Sequence, residues 1–262
     1  GESEIIIEAN KAGEYVDQGA LCNDNFDGDI TGSIEVSGDE VNVAKTGVYQ
    51  IKYNCKDSSG NDAVEIVRTV TVRDTVAPVI TLNGSAEVVV EAGTEYNDVG
   101  VSASDSFDDE PTVEVVNGVN TNELGQYTVS YSVKDSSGNE STQQRTVNVV
   151  DTLPPVITLN GSAEVIVEAG TEYNDVGVSA SDGFDDEPIV EVVNGVKTGE
   201  LGQYIVSYTV KDSSGNESTL QRTVTVKDTL PPVITLNGSA EVIVEAGTEY
   251  NDVGVSASDG FD

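Results

Sequence analysis

Carboxylates dominate the side chains able to do chemistry. The chain carries 47 Asp and Glu against 12 Lys and Arg, with two Cys and no His, Met or Trp. Between positions 151 and 227, seven of the 13 acids crowd three short stretches: Asp151 in DTLPP, Asp182, Asp185, Asp186 and Glu187 in SDGFDDEP, and Asp212 and Glu217 in KDSSGNES. If those stretches meet, the charges repel by about 1 kcal/mol per pair at 4 Å in water and by several near a protein surface. A hard dication that takes about six to eight oxygen ligands turns such repulsion into cross-linking. Calcium is therefore the expected cofactor. One ligand set is Asp74, Asp105, Asp108, Asp109, Asp135 and Asn139, and the second is Asp151, Asp182, Asp185, Asp186, Asp212 and Asn216. A third set holds Asp228, Asp259 and Asp262, while Asp98 of the TEYND stretch contributes from a preceding loop. The spacings D-x-x-D-D-E and D-x-x-x-N-E are oxygen-rich without being an EF-hand loop. The competing reading is a solvating coat of acids.

Other chemistry is hard to build from these residues. Without His, and with no base beside either Cys, a nucleophilic triad cannot be assembled. A carboxylate pair suited to glycoside hydrolysis arises by chance among 47 acids, and no cleft is implied. The expectation is that the chain is not an enzyme. A net charge of -35 repels phosphates and anionic lipid, which excludes nucleic acid and the cytoplasmic membrane face as partners. No apolar run approaches the roughly 20 residues of a membrane span, so no direct insertion is expected in this stretch.

The elements that must position the carboxylates come from a repeat. Residues 151 to 185 recur letter for letter at 228 to 262, and residues 74 to 150 differ from 151 to 227 at 12 of 77 positions. A fixed period of this size marks one structural unit copied in tandem. The expected domains are 1–73, lacking its first strand, then 74–150 and 151–227, and finally 228–262 as the N-terminal part of another repeat. The sequence thus reads as a section of a longer array; the alternative is a tail that lends its first strand to the incomplete first domain of another copy.

Period-two alternation supplies the strands. In YIVSYTVKD, Tyr204, Val206, Tyr208 and Val210 share one face. VITL (156 to 159), EVIVEA (164 to 169), VGVSAS (176 to 181), IVEVV (189 to 193) and STLQRTVTV (218 to 226) are further β-branched runs between Gly, Asn, Asp and Pro clusters. The fold class is all-β: tandem immunoglobulin-like antiparallel β-sandwiches forming an extended rod. Tyr49, Tyr127 and Tyr204 each open a late strand after a Gly, as in a tyrosine corner. Whether Asn160-Gly161 and Asn194-Gly195 kink a strand or reverse it stays open, since Asn-Gly is also the strongest hairpin signal. Cys22 and Cys55 align with Ala103 and Val133, two facing core positions. A disulfide there would close a loop of about 33 residues and stabilise by roughly 3 to 4 kcal/mol; two buried thiols are the alternative. A disulfide implies an oxidising compartment.

The pattern DTxPPVITLNG, EVIVEAGTEYNDVGVSASD, GxYxVxYxVKDSSGNES and RTVTV resembles the Ig-like repeats of bacterial surface proteins, relatives of the hyalin repeat that also occur in pesticidal crystal proteins. The first domain departs from it, with its cysteine pair and DNFDGDITGS. The resemblance implies an extracellular, cell-surface module strung in arrays that hold an adhesive or catalytic domain away from the cell. The function expected is a stalk, spacer or filament-forming region of a surface protein or adhesin, stiffened by calcium at domain junctions. The partners are neighbouring repeats and other copies in a filament or bundle. The alternatives are an Ig-like module that binds glycan or protein, and an enzyme accessory region.

Overall fold

A computed structural model describes residues 1 to 261; Asp262, named above as a ligand, lies outside them. By internal packing the chain forms two compact units. One comprises Gly1–Val90, Tyr96–Asn120 and Gly125–Asn148, and the other Glu91–Glu95, Thr121–Leu124 and Val149–Asp262. Among the described residues there is no α-helix, only a 3₁₀ turn at Thr31–Ser33.

The strands follow the runs of alternating residues. They are β1 (Glu4–Glu8), β2 (Asn23–Asp24), β3 (Gly28–Asp29), β4 (Glu35–Gly38), β5 (Gly47–Asn54) and β6 (Ile66–Arg73). Next come β7 (Val79–Leu82), β8 (Glu87–Glu91), β9 (Val101–Ser104), β10 (Thr112–Asn117), β11 (Gly125–Lys134) and β12 (Glu140–Val150). The next repeat gives β13 (Val156–Leu159), β14 (Glu164–Glu168), β15 (Val178–Ser181), β16 (Ile189–Asn194), β17 (Gly202–Lys211) and β18 (Glu217–Lys227), with β19 (Val233–Leu236) and β20 (Val255–Ser258) beyond it.

The repeats at 74–150 and 151–227 each set a four-stranded sheet against a two-stranded one, while in the first repeat the two-stranded piece is β2 paired with β3. The large sheets run β1-β6-β5-β4, β10-β11-β12-β8 and β14-β18-β17-β16, and the small ones pair β7 with β9, β13 with β15 and β19 with β20. β1 meets β6 and β14 meets β18 in parallel, while the hairpin pairs β4–β5, β5–β6, β10–β11, β16–β17 and β17–β18 and the small sheets are antiparallel. Asn160-Gly161 explains the parallel pairing of β14. It carries the chain from β13 in the small sheet to β14 in the large one, with Gly161 at φ +89°, a value other residues rarely adopt. The dipeptide therefore switches sheets within a few residues and closes no hairpin. Asn194-Gly195 does the opposite: it opens the loop between β16 and β17, which pair antiparallel.

The cores are small and lie on the inward faces of the long strands. In the first unit Ile51, Tyr53 and Val70 form one cluster and Val129, Tyr131 and Val147 another; in the second, Val167, Val206, Tyr208 and Val224 pack together. Burying each such side chain contributes about 1.5 to 3 kcal/mol. Two covalent or polar details reinforce them. Cys22, just before β2, is disulfide-bonded to Cys55, just after β5, with Cα atoms 6.7 Å apart. Tyr49 donates its hydroxyl to the Lys45 carbonyl at 2.9 Å and Tyr204 to the Glu200 carbonyl at 3.0 Å, so each pins the loop before its own strand.

Candidate metal centres

The loops that follow β9 and β15 turn on a single aspartate. Asp105 Oδ1 accepts from the amides of Phe107 at 2.7 Å and Asp108 at 2.9 Å, and Asp182 Oδ1 does the same for Phe184 and Asp185 at 2.8 and 3.0 Å. Asp108 is then tied to the loop after β11, accepting from the Ser136 amide and hydroxyl at 2.8 Å each; Asp185 accepts from Ser213 in the same way. Those second loops are closed in turn by Asp135 and Asp212. Asn139 donates its backbone and side-chain amides to Asp135 at 2.8 and 2.7 Å, and Asn216 donates both to Asp212.

Onto this frame the segment between repeats delivers one more carboxylate. Asn139 donates to the Asp74 carbonyl at 3.3 Å and Asn216 to the Asp151 carbonyl at 3.2 Å, which seats each aspartate beside the loops. Carboxylate oxygens of Asp74, Asp105 and Asp108 lie within 4.8 Å of one another, as do those of Asp151, Asp182 and Asp185. The Oδ2 atoms of Asp74, Asp105 and Asp151 are buried without a hydrogen-bond partner. Burial pushes the Asp74 carboxyl above the ordinary range against the pull of the Val76 amide and Ser137, and Asp135 and Asp105 repel it further. Asp151 is raised likewise, by burial and then by repulsion from Asp212, Asp182 and Glu91. Orphaned, mutually repelling carboxylate oxygens are what an oxygen-seeking dication requires. The residues present fit one.

The other expected ligands fall into different places. Asp135, Asn139, Asp212 and Asn216 brace the loops, both carboxylates and both side-chain amide nitrogens engaged in hydrogen bonds. Asp109 and Asp186 are exposed, and Asp109 pairs with Lys11 at 2.5 Å. Asp259 holds the amide of Phe261 at 3.0 Å, but neither it nor Asp228 belongs to a three-carboxylate cluster among the described residues.

Asp98 is not at the cluster at all. It pairs with Arg145, 1% exposed, and accepts from the Tyr131 hydroxyl at 2.6 Å, while Arg145 also donates to the carbonyls of Ser85 and Asn83 at 3.0 and 2.6 Å. Burial disfavours the Asp98 carboxylate, yet hydrogen bonds from Tyr131 and the Gly100 amide, with the Arg145 charge, outweigh it and hold Asp98 below the ordinary range. Arg68 with Asp17 and Tyr53, and Arg222 with Asp175 and Tyr208, repeat this arrangement. These ion pairs fasten the sheet-switching segment to the core. A cation that is already present leaves Asp98 no ligand role.

One set of acids escaped sequence reasoning. Glu8, Glu91 and Glu168 each end a strand, and each carboxylate takes both the amide and the hydroxyl of the Thr after a linker aspartate. For Thr152 on Glu91 the distances are 2.7 and 2.8 Å, and Thr75 and Thr229 do likewise. The signal was present as a strand-end Glu and a linker D-T pair that recur in each copy, but nothing in a strand-terminal Glu distinguishes a clasp from a solvated charge.

Residues 1–72, 80–149 and 157–226 each match the profile of the family described as bacterial surface protein, Ig-like domain. The chain belongs to this family. It is a family of surface repeats and not of enzymes. The pesticidal crystal protein Cry22Aa of Bacillus thuringiensis is 29% identical over 257 residues, covering 92% of this chain and 32% of that protein. Hyalin of the sea urchin Lytechinus variegatus is 31% identical over 224 residues, covering 79% of this chain and 42% of hyalin. The chain thus spans less than half the length of these curated relatives. Among solved structures, protocadherin gammaB7 EC3-6 superposes with a TM-score of 0.36 at 13% identity, covering 100% of this chain and 83% of that one.

Proposed function

We propose that this chain is a spacer region of a longer extracellular surface protein or adhesin, and that calcium cross-links its repeats at the Asp74 and Asp151 clusters. The observation that carries the reading is the pair of carboxylate trios, each built from one linker aspartate and one loop and each holding an orphaned buried oxygen. Copies that differ at only 12 of 77 positions suit a spacer, in which a unit is reused for its length. Without the ion each linker carboxylate repels its neighbours; with it, the linker and the acid loop share ligands and the hinge between repeats stiffens. Several independent sites with dissociation constants of about 0.1 to 1 mM would each add roughly 0.4 to 1.4 kcal/mol at millimolar calcium. Calorimetric titration of the chelator-treated chain tests this directly. Uptake at millimolar calcium with a rise in melting temperature supports the reading; no heat of binding and no change in melting or in the spread of interdomain orientations by scattering reduces the acids to a solvating coat.

A further inference from the structure

The two carboxylate clusters differ in the cations around them. Nine positions separate Glu8 from Asp17, whereas seven separate Glu91 from Asp98, so the turn after β1 is longer by two residues than the turn after β8. Asn10, Lys11, Ala12 and Gly13 replace Gly93 and Thr94 there. The longer turn closes on Asn10, whose side-chain oxygen accepts from the Ala12 amide at 3.0 Å and whose carbonyl accepts from Gly13 at 3.3 Å. Lys11, within that turn, reaches Asp109 at 2.5 Å, one residue from Asp108 of the first cluster.

Nothing comparable stands at the second cluster. Thr94, at the place of Lys11, donates its hydroxyl to the Glu91 carbonyl at 2.6 Å. Cations of that unit pair elsewhere: Lys197 with Glu200, Lys211 with Glu217, and Arg222 with Asp175. The charges that Asp151 does feel are Asp212, Asp182 and Glu91, all of them negative. The loop frames of the two clusters are otherwise alike, each acid loop turning on one aspartate and tied to a serine of the next loop, and Asp74 at the first is 7% exposed with its Oδ2 unpartnered. Two cations set the clusters apart: Lys11, fixed on Asp109 beside the acid loop, and Arg73, which precedes Asp74 where Val150 precedes Asp151.

We infer that Lys11 makes the first cluster the weaker divalent-cation site, so that the Asp151 cluster fills before the Asp74 cluster as the ion concentration rises. This rests on the calcium reading given above. A unit charge about 9 Å from a dication in a water-like dielectric changes binding by about fivefold. The repeats would then be cross-linked in order, with one junction held at low calcium and the next only at higher calcium.

The test is calcium chloride titrated calorimetrically into the full chain in two backgrounds. Asp151→Asn with Asp228→Asn leaves the first cluster, and Asp74→Asn with Asp228→Asn leaves the second. The dissociation constant is expected to be about fivefold larger in the first background. Lys11→Thr should narrow that difference, Lys11→Arg should keep it, and Thr94→Lys should weaken the second site by a similar factor. Equal constants in both backgrounds, unmoved by Lys11→Thr, overturn the inference and leave calcium cross-linking standing. No uptake in either background overturns both.

Discussion

Asp98 and Asp74 are carboxylates of the same unit, both withdrawn from water, and they have opposite fates. Asp98 meets Arg145 and Tyr131 and stays below the ordinary carboxylate range; Asp74 meets Asp105 and Asp108 and is pushed above it. Burial acts on both in the same direction, so the difference lies in what the fold supplies next. At Asp98 it supplies a guanidinium, a phenol and a backbone amide, and the charge is satisfied internally. At Asp74 it supplies more negative charge and leaves an oxygen without a partner. A chain that solves the first problem identically in three repeats has the means to solve the second, and leaves it unsolved wherever a linker aspartate meets an acid loop.

The first repeat sharpens this contrast. Asp24, Asp27, Asp57 and Asn61 build the same braced loops, with Asp24 accepting from Phe26 and Asp27 and Asn61 donating twice to Asp57. No three-carboxylate group forms there among the described residues, and amides of Asp27 and Phe26 hold Asp24 below its ordinary range. The frame alone is electrostatically comfortable. It is the linker aspartate that makes a cluster of it.

The comparison breaks most visibly at the internal pair. Arg222→Met removes the cation and leaves Asp175 buried with Tyr208, and should destabilise that repeat by about 3 to 5 kcal/mol in denaturant unfolding, with or without calcium. A loss under about 1 kcal/mol would mean that Asp175 is not held by its partner. Acid should show the same pairs more gently. The folded pKa values of Asp17, Asp98 and Asp175 lie below the unfolded value of about 3.9, so their stabilisation is complete above that value and disappears as pH falls through the folded pKa. Each unit of depression corresponds to about 1.4 kcal/mol. Melting curves from pH 5 down to 2 should therefore fall faster for wild type than for a variant carrying Asp175→Asn, which has one fewer such group to lose; parallel curves would contradict this.

A smaller effect, but one of distinctive sign, is expected at the linker. Asp151→Asn should leave melting in chelator unchanged or slightly raised, because it relieves repulsion, and should abolish about 0.4 to 1.4 kcal/mol of the calcium-induced gain. Destabilisation in chelator and an intact calcium response would show that Asp151 is an ordinary structural residue. Of similar size, Ser213→Ala removes the hydroxyl that orients Asp185 and should lower stability by about 0.5 to 1.5 kcal/mol while weakening calcium uptake; binding enthalpy and melting temperature read the two consequences separately.

Much of the fold was legible because alternation is strict where burial is one-sided. The face shared by Tyr204, Val206, Tyr208 and Val210 is the buried one, and the small apolar residue at Ala103 marked where Cys22 would meet Cys55. What alternation could not show was direction across Asn160-Gly161, since the same dipeptide closes hairpins and bends strands. That ambiguity also hid the partner of Asp98. Yet Arg222 shares the inward phase of Val224 and Val226, and a guanidinium among valines demands a carboxylate; that signal lay in the sequence unread. The acid trios were legible as composition, but Lys11 was not, because its effect depends on a turn two residues longer than its copies.

The letter-for-letter recurrence has a consequence in time. Val156–Leu159 and Val233–Leu236 are the same strand in sequence, as are Val178–Ser181 and Val255–Ser258, so β13 would find β20 as good a partner as β15. Equilibrium contacts do not distinguish the correct pairing from the exchanged one; the order of arrival does. At roughly 5 to 20 residues per second a ribosome takes about 4 to 15 seconds to deliver the next 77 residues, and small β-sandwiches close in about milliseconds to seconds. Each repeat can therefore finish folding before its twin exists, a safeguard that the purified chain loses when it is refolded all at once.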